Sequence, residues 1–158
     1  MLTRIKVSFI SIFVILFCSP SFGAWNKSVE KDPFDDKVFK LWFYASRISG
    51  GVNFVFGCDN EGKFNLYWEY ARQGQSGVMA MDMGVVIRLD SDPSIEEDWY
   101  WLPANATIRP NDGAAFMNKI LSKKKLAIKS SLGGDMGVFD ISGVNKAYQE
   151  AKTTCKLK

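Results

Sequence analysis

Three features of the sequence predict an α+β domain that is mainly antiparallel β and sandwich-like, with two helices. Apolar and polar residues alternate with a period of two through most of the chain, and the spacing turns helical near the end. Two cysteines remain once an N-terminal leader is set aside, and their pairing would link the C-terminal helix to the sheet.

Residues 1–23 read as a secretory signal peptide. Arg4 and Lys6 supply a basic start, Val7 to Phe17 an apolar middle, and Ser21 and Gly23 the small residues of a processing site. That apolar run is shorter than the roughly 20 residues a spanning helix needs, so the membrane is met only through this segment before cleavage. Cys18 as a lipoprotein cysteine would want a small residue before it, and Phe17 stands there; Cys18 is read as an apolar filler lost on export. Cleavage after Gly23 leaves residues 24–158 as a single β-rich domain, periplasmic or secreted.

The strands follow in order. Phe39, Leu41, Phe43 and Ala45 share one face, with Lys40, Trp42 and Tyr44 on the other. Val52, Phe54, Phe56 and Cys58 form a second row, so Cys58 continues a core-facing set. Phe64, Leu66, Trp68 and Tyr70 form a third. Met79, Met81, Met83, Val85, Ile87 and Leu89 form the longest, opposite Ala80, Asp82, Gly84, Arg88 and Asp90. The turns Ser49 to Gly51, Asp59 to Lys63 and Arg72 to Gly77 suit hairpins. Phe116, Met117, Ile120 and Leu121 then fall at helical spacing behind Asn111 or Asp112 as N-cap. Two short strands, KLAIKS and GVFDIS, precede a last helix capped by Ser142. There Val144, Ala147, Tyr148, Ala151 and Cys155 make one apolar stripe.

Cys155 therefore lies where that helix meets the sheet. In an exported chain an even pair of cysteines reads as a disulfide rather than two free thiols, and Cys58 and Cys155 are 97 residues apart.

Charge and composition narrow the function classes. The leader removes two of the 20 basic residues and none of the 17 acidic ones, leaving +1; so near-neutral a balance makes no case for nucleic acid. The chain has no histidine. That excludes imidazole zinc sites, serine–histidine and cysteine–histidine nucleophiles, and histidine acid–base chemistry. No phosphate-binding glycine loop occurs, and no cofactor or metal is expected. The alternating acids of DSDPSIEED (Asp90 to Asp98) suggest calcium, but the loop lacks the glycine and glutamate of the helix–loop–helix site and reads as a solvated turn. Lys123 to Lys125 read as a solvated turn as well. Asp35 and Asp36, with Asp140, are the only obvious carboxylates for a glycosidase; the plainer reading is a turn pair, bridging Arg88 across the sheet.

Trp99, Tyr100 and Trp101 are the candidate partner-binding residues. Alternation sends Trp99 and Trp101 to one face and Tyr100 to the other, so at least one ring is expected to meet solvent, where such side chains serve as binding anchors. Closing the core is their alternative use.

The order of landmarks carries a resemblance. Trp25, DPFDD (Asp32 to Asp36), FGC, LYWEY, VVIRLD, AFMNKILSKKKLAI and FDISGVNKAYQEAKTTC come in succession. This order is similar to that of the exported TagO-like (VasI) family associated with type VI secretion. The resemblance covers nearly the whole chain after the leader and matches Asp35, Asp36, Arg88, Asp90, Phe139, Gly143 and the two cysteines. It implies a non-catalytic accessory protein of the envelope or secretion apparatus, whose partner is a protein of the envelope or the cell wall. The stretch FGCDNEGKFNLYWEY also resembles small periplasmic lysozyme inhibitors, and a prophage-encoded envelope protein is a further alternative.

Overall fold

The computed structural model describes residues 25–31, 34, 38–50, 52–69, 79–131 and 136–155. Residues 1–24, Asp35, Asp36, Gly51, Tyr70, the turn at 72–77 and the side chain of Phe39 lie outside the described residues.

Among the described residues the chain forms nine strands and two α-helices. The strands are β1 (Trp25–Lys31), β2 (Val38–Ser49), β3 (Phe54–Cys58), β4 (Phe64–Glu69), β5 (Met81–Leu89), β6 (Ile95–Leu102), β7 (Thr107–Pro110), β8 (Lys125–Ser130) and β9 (Met136–Asp140); the helices are α1 (Gly113–Ile120) and α2 (Val144–Cys155). The expected class holds: mainly antiparallel β with two helices. In space the strands run β1-β2-β3-β4-β7-β6-β5-β8-β9, and β9 returns to pair with β2. The sheet therefore closes on itself, with β1 added along β2, and closure satisfies strand edges that would otherwise be open.

Inward rows fill the interior. The ring of Phe54 lies 6.2 Å from Phe116 of α1, 5.9 Å from Phe139 of β9 and 6.3 Å from Trp25 of β1. Phe56 stacks on Phe43 at 5.2 Å and meets Tyr148 of α2 at 6.3 Å. Both helices thus pack their apolar stripes onto the same aromatic interior. Asp112 is the N-cap of α1, its Oδ1 accepting from the Ala115 N–H at 2.9 Å. The staple is formed: Cys58 and Cys155 are disulfide-bonded with Cα atoms 6.0 Å apart.

Two expectations need correction, and two strands were not expected at all. The long methionine row is buried only from Met83 onward; Met81 is 44% and Met79 85% exposed. Pairing of β5 with β8 begins at Val85, so the chain before Met83 projects past the closed part of the sheet. Ser142 does not cap α2. Its N–H and its hydroxyl both donate to Asp140 Oδ1, at 2.9 and 2.6 Å, and Gly143 (φ +79°) instead offers its carbonyl to the Ala147 N–H. Two strands lacked a sequence signal. β1 buries only Trp25 and exposes the rest, so it has no alternation; β7 has four residues and ends in proline.

No helix among the described residues is long and apolar enough to cross a membrane.

Candidate functional site

Trp99 and Trp101 are not surface anchors. Trp99 is 0% and Trp101 7% exposed. The Trp99 ring meets Phe116 edge-on at 4.9 Å and its Nε1–H donates to Glu97 Oε2 at 3.1 Å. The alternation of β6 ran as expected, but the face with two tryptophans is the core face, because the buried side of α1 packs against it. Tyr100 alone of the three points outward, half-buried, with the Arg109 guanidinium 5.5 Å from its ring centroid.

Tyr100 belongs to a row that crosses five neighbouring strands. Register places Tyr44 of β2 against Val55 of β3, and Val55 against Tyr67 of β4. Beyond β4, Arg109 of β7 is opposite Tyr100 of β6. The next row holds Trp42, Gly57 and Asn65. Gly57 is required there: a Cβ would lie 1.9 Å from the Leu41 carbonyl oxygen and 2.8 Å from Trp42 Cε3. Its absence lets the Trp42 ring lie across β3, where it meets Tyr67 edge-on at 5.8 Å.

A groove runs along these rows because the sheet splits. β4 pairs with β7 only at Trp68–Ile108 and Glu69–Thr107. No ladder joins Phe64 to Tyr67 with Arg109 and Pro110, and Pro110 has no N–H with which to extend one. Two clefts open there, of about 430 and 470 Å³, sharing Asn65, Leu66 and Arg109. Trp42, Tyr67, Asp59 and Glu69 line the first; Lys63, Tyr100 and Asn111 line the second.

The polar side chains are partly committed. Asp59 Oδ1 accepts from the N–H groups of Glu61 and Lys63, shaping the turn between β3 and β4, and Glu69 accepts from Asn53 Nδ2 at 2.5 Å. Among the described residues no carboxylate pairs with Arg109 or Lys63. Burial, then Tyr44 and Glu69, push the Tyr67 phenol up to about 12; burial also raises Tyr44, with Glu69 and Glu30 adding. Flat rings, amides, carboxylates and a guanidinium without a carboxylate partner among the described residues, on one surface, make a binding chemistry.

The Tyr67 shift has a testable consequence. Between about pH 10 and 12 the unfolded chain ionises this phenol while the folded chain keeps its proton, so the stability it carries is whole below pH 10 and is lost across that window. Phenolate absorbance during alkaline titration will show a last step near pH 12 that is missing in Tyr67→Phe. A wild-type curve with every tyrosine ionised by pH 11 would contradict the burial of this ring.

The other sequence candidates lie elsewhere. Arg88 is exposed on β5, opposite Ala127. Asp90, at φ +51°, accepts from the N–H groups of Lys124 and Lys125 at 2.9 and 2.8 Å, and these bonds hold its carboxyl below the usual range. Lys123 pairs with Asp92 at 2.7 Å. The acidic loop and the lysine run are thus one interlocked turn. Phe139 is core, and Asp35 and Asp36 are outside the described residues. Trp42, Tyr44, Tyr67 and Arg109 were missed as a set. Trp42 and Tyr44 did stand on the non-core side of their strand in the sequence, which is the one signal that could have found them.

Comparison of the chain with protein-family models, with curated proteins and with solved structures gives no match.

Proposed function

We propose that the chain is an exported, non-catalytic binding protein of the cell envelope, an accessory component in the manner of the type VI secretion-associated family it resembles. One observation carries the reading: the outward row of Trp42, Tyr44, Tyr67, Arg109 and Tyr100 beside an open groove, on a face that the core does not need. Aromatic and arginine side chains are the commonest anchors of binding surfaces. The disulfide supports export, since such bonds persist in oxidising compartments outside the cytoplasm.

Fractionation of cells making the protein tests this. The wild type is expected in the envelope pellet, and the double variant Trp42→Ala, Tyr100→Ala in the soluble periplasmic fraction with an unchanged Tm. Equal retention of both would remove the groove from the function. A wild type that stays wholly soluble and slows lysozyme at equimolar ratio would favour the inhibitor reading.

A further inference from the structure

We infer that the split between β4 and β7 is a carboxylate subsite, and that the ligand it serves is an acidic oligosaccharide whose sugar rings lie along Trp42 and Tyr67. This rests on the groove being the binding face and adds the chemical class of what binds.

The charge of the fork points to an anion. Arg109 stands where the two clefts meet, stacked over Tyr100, and Lys63 lines the wall opposite; neither has a carboxylate partner among the described residues. A guanidinium held over a ring is pre-oriented and offers a planar fork of donors that matches a carboxylate. The Asn65 Nδ2 is spent on Asp59 Oδ2 and the Lys63 carbonyl, at 3.3 and 3.0 Å, which leaves its oxygen as an acceptor toward the groove.

Shape separates a sugar from a peptide strand. The inner side of the fork is closed by the start of α1: a Cβ on Gly113 would sit 3.8 Å from both Leu66 Cβ and Phe64 Cε1. The edges of β4 and β7 diverge from Trp68–Ile108 outward, so they offer an added strand no parallel ladder on either side. What remains is an outward-facing cleft with Arg109 and Lys63 on its walls, where an anionic group can be met by two cations. It continues into a cleft where the Trp42 and Tyr67 rings, 64° apart, stand among Asp59, Glu69 and Thr107. Apolar ring faces beside side-chain donors and acceptors suit a sugar, which has an apolar C–H face and a rim of hydroxyls.

Calorimetric titration of the purified, disulfide-bonded protein decides the matter. The probes are a peptidoglycan tetrasaccharide stripped of stem peptides, which bears free lactyl carboxylates, neutral tetra-N-acetylchitotetraose, and an acidic tripeptide with a free C-terminus. The stripped tetrasaccharide is expected to bind tightest. Arg109→Gln should weaken it by about tenfold, the loss of one charge-assisted contact, and weaken the neutral sugar far less. Trp42→Ala should weaken both sugars. The Arg109 side chain is exposed and outside the core, so its variant is expected to keep the fold, and an unchanged Tm will check that. Equal affinity for acidic and neutral sugars, or no effect of Arg109→Gln, would overturn the carboxylate subsite. Binding of the tripeptide alone would replace the sugar by a protein terminus. No binding of any saccharide, with the wild type still held in the envelope pellet, would overturn the ligand class and leave the envelope-binding reading standing.

Discussion

Cys155→Ser, or reduction of the wild type, will lower the unfolding free energy by about 4–5 kcal/mol, the chain-entropy value for a closed loop of this length. The bond joins the last residue of α2 to the end of β3 across 97 residues, so the open chain regains nearly all of its loop freedom on unfolding. The local structure magnifies the effect. The β3–β4 turn rests on the helix end, where a Cβ on Gly62 would lie 3.2 Å from the Cys155 carbonyl oxygen. Without the bond, α2 is held to the sheet by the ring of Tyr148 over Phe56 and Phe64, its apolar stripe and the Lys27–Glu150 ion pair. Guanidinium unfolding with and without reductant measures the difference. Identical midpoints would mean that the helix is fixed by packing alone.

Trp99→Ala will cost about 3–5 kcal/mol, the range for truncating a fully buried aromatic. The ring is wholly enclosed, edge-on to Phe116, and its indole N–H is satisfied by Glu97. Its removal leaves a void between β6 and α1 and leaves one acceptor of Glu97 without its donor. Tyr100→Ala, one residue along on the opposite face, will cost about 1 kcal/mol or less, as expected for a surface substitution that loses one ring contact. Chemical denaturation of the two variants compares them directly. The contrast bears on function: a partner-capture defect in Trp99→Ala would report unfolding, and only the defect in Tyr100→Ala would report contact. A Trp99→Ala protein as stable as the wild type would place that ring at the surface after all.

Much of this fold was legible in the chain. The rows of β2, β3, β4 and β5, the stripe of α2 and the Asp112 cap of α1 are all local patterns, readable because a strand repeats every two residues and a helix every 3.6. The failures share a cause too. β1 and β7 take their pairing from longer neighbours rather than from their own composition, so nothing in WNKSVEK or TIRP announces a strand. Met79 and Met81 continue the alternation of β5 in sequence, yet burial stops at Met83, one alternate residue past the last β8 pairing at Val85. Alternation reports which residues share a face; it does not report how far the opposite wall extends.

The candidate site shows the same division. By itself the sequence determined an even thiol pair behind a leader-like segment, a histidine-free chemistry, a near-neutral charge and the alternating faces of the strands. Only the tertiary structure decided which face of β6 is the core, and that β7 inserts between β4 and β6 so that Trp42, Tyr67, Arg109 and Tyr100 share one outward surface. The physical reason is range. A side chain's face follows from its own strand's pleat, whereas its neighbours across the sheet follow from pairings that bring together segments far apart in the chain, and those are set by closure of the whole sheet around its aromatic interior.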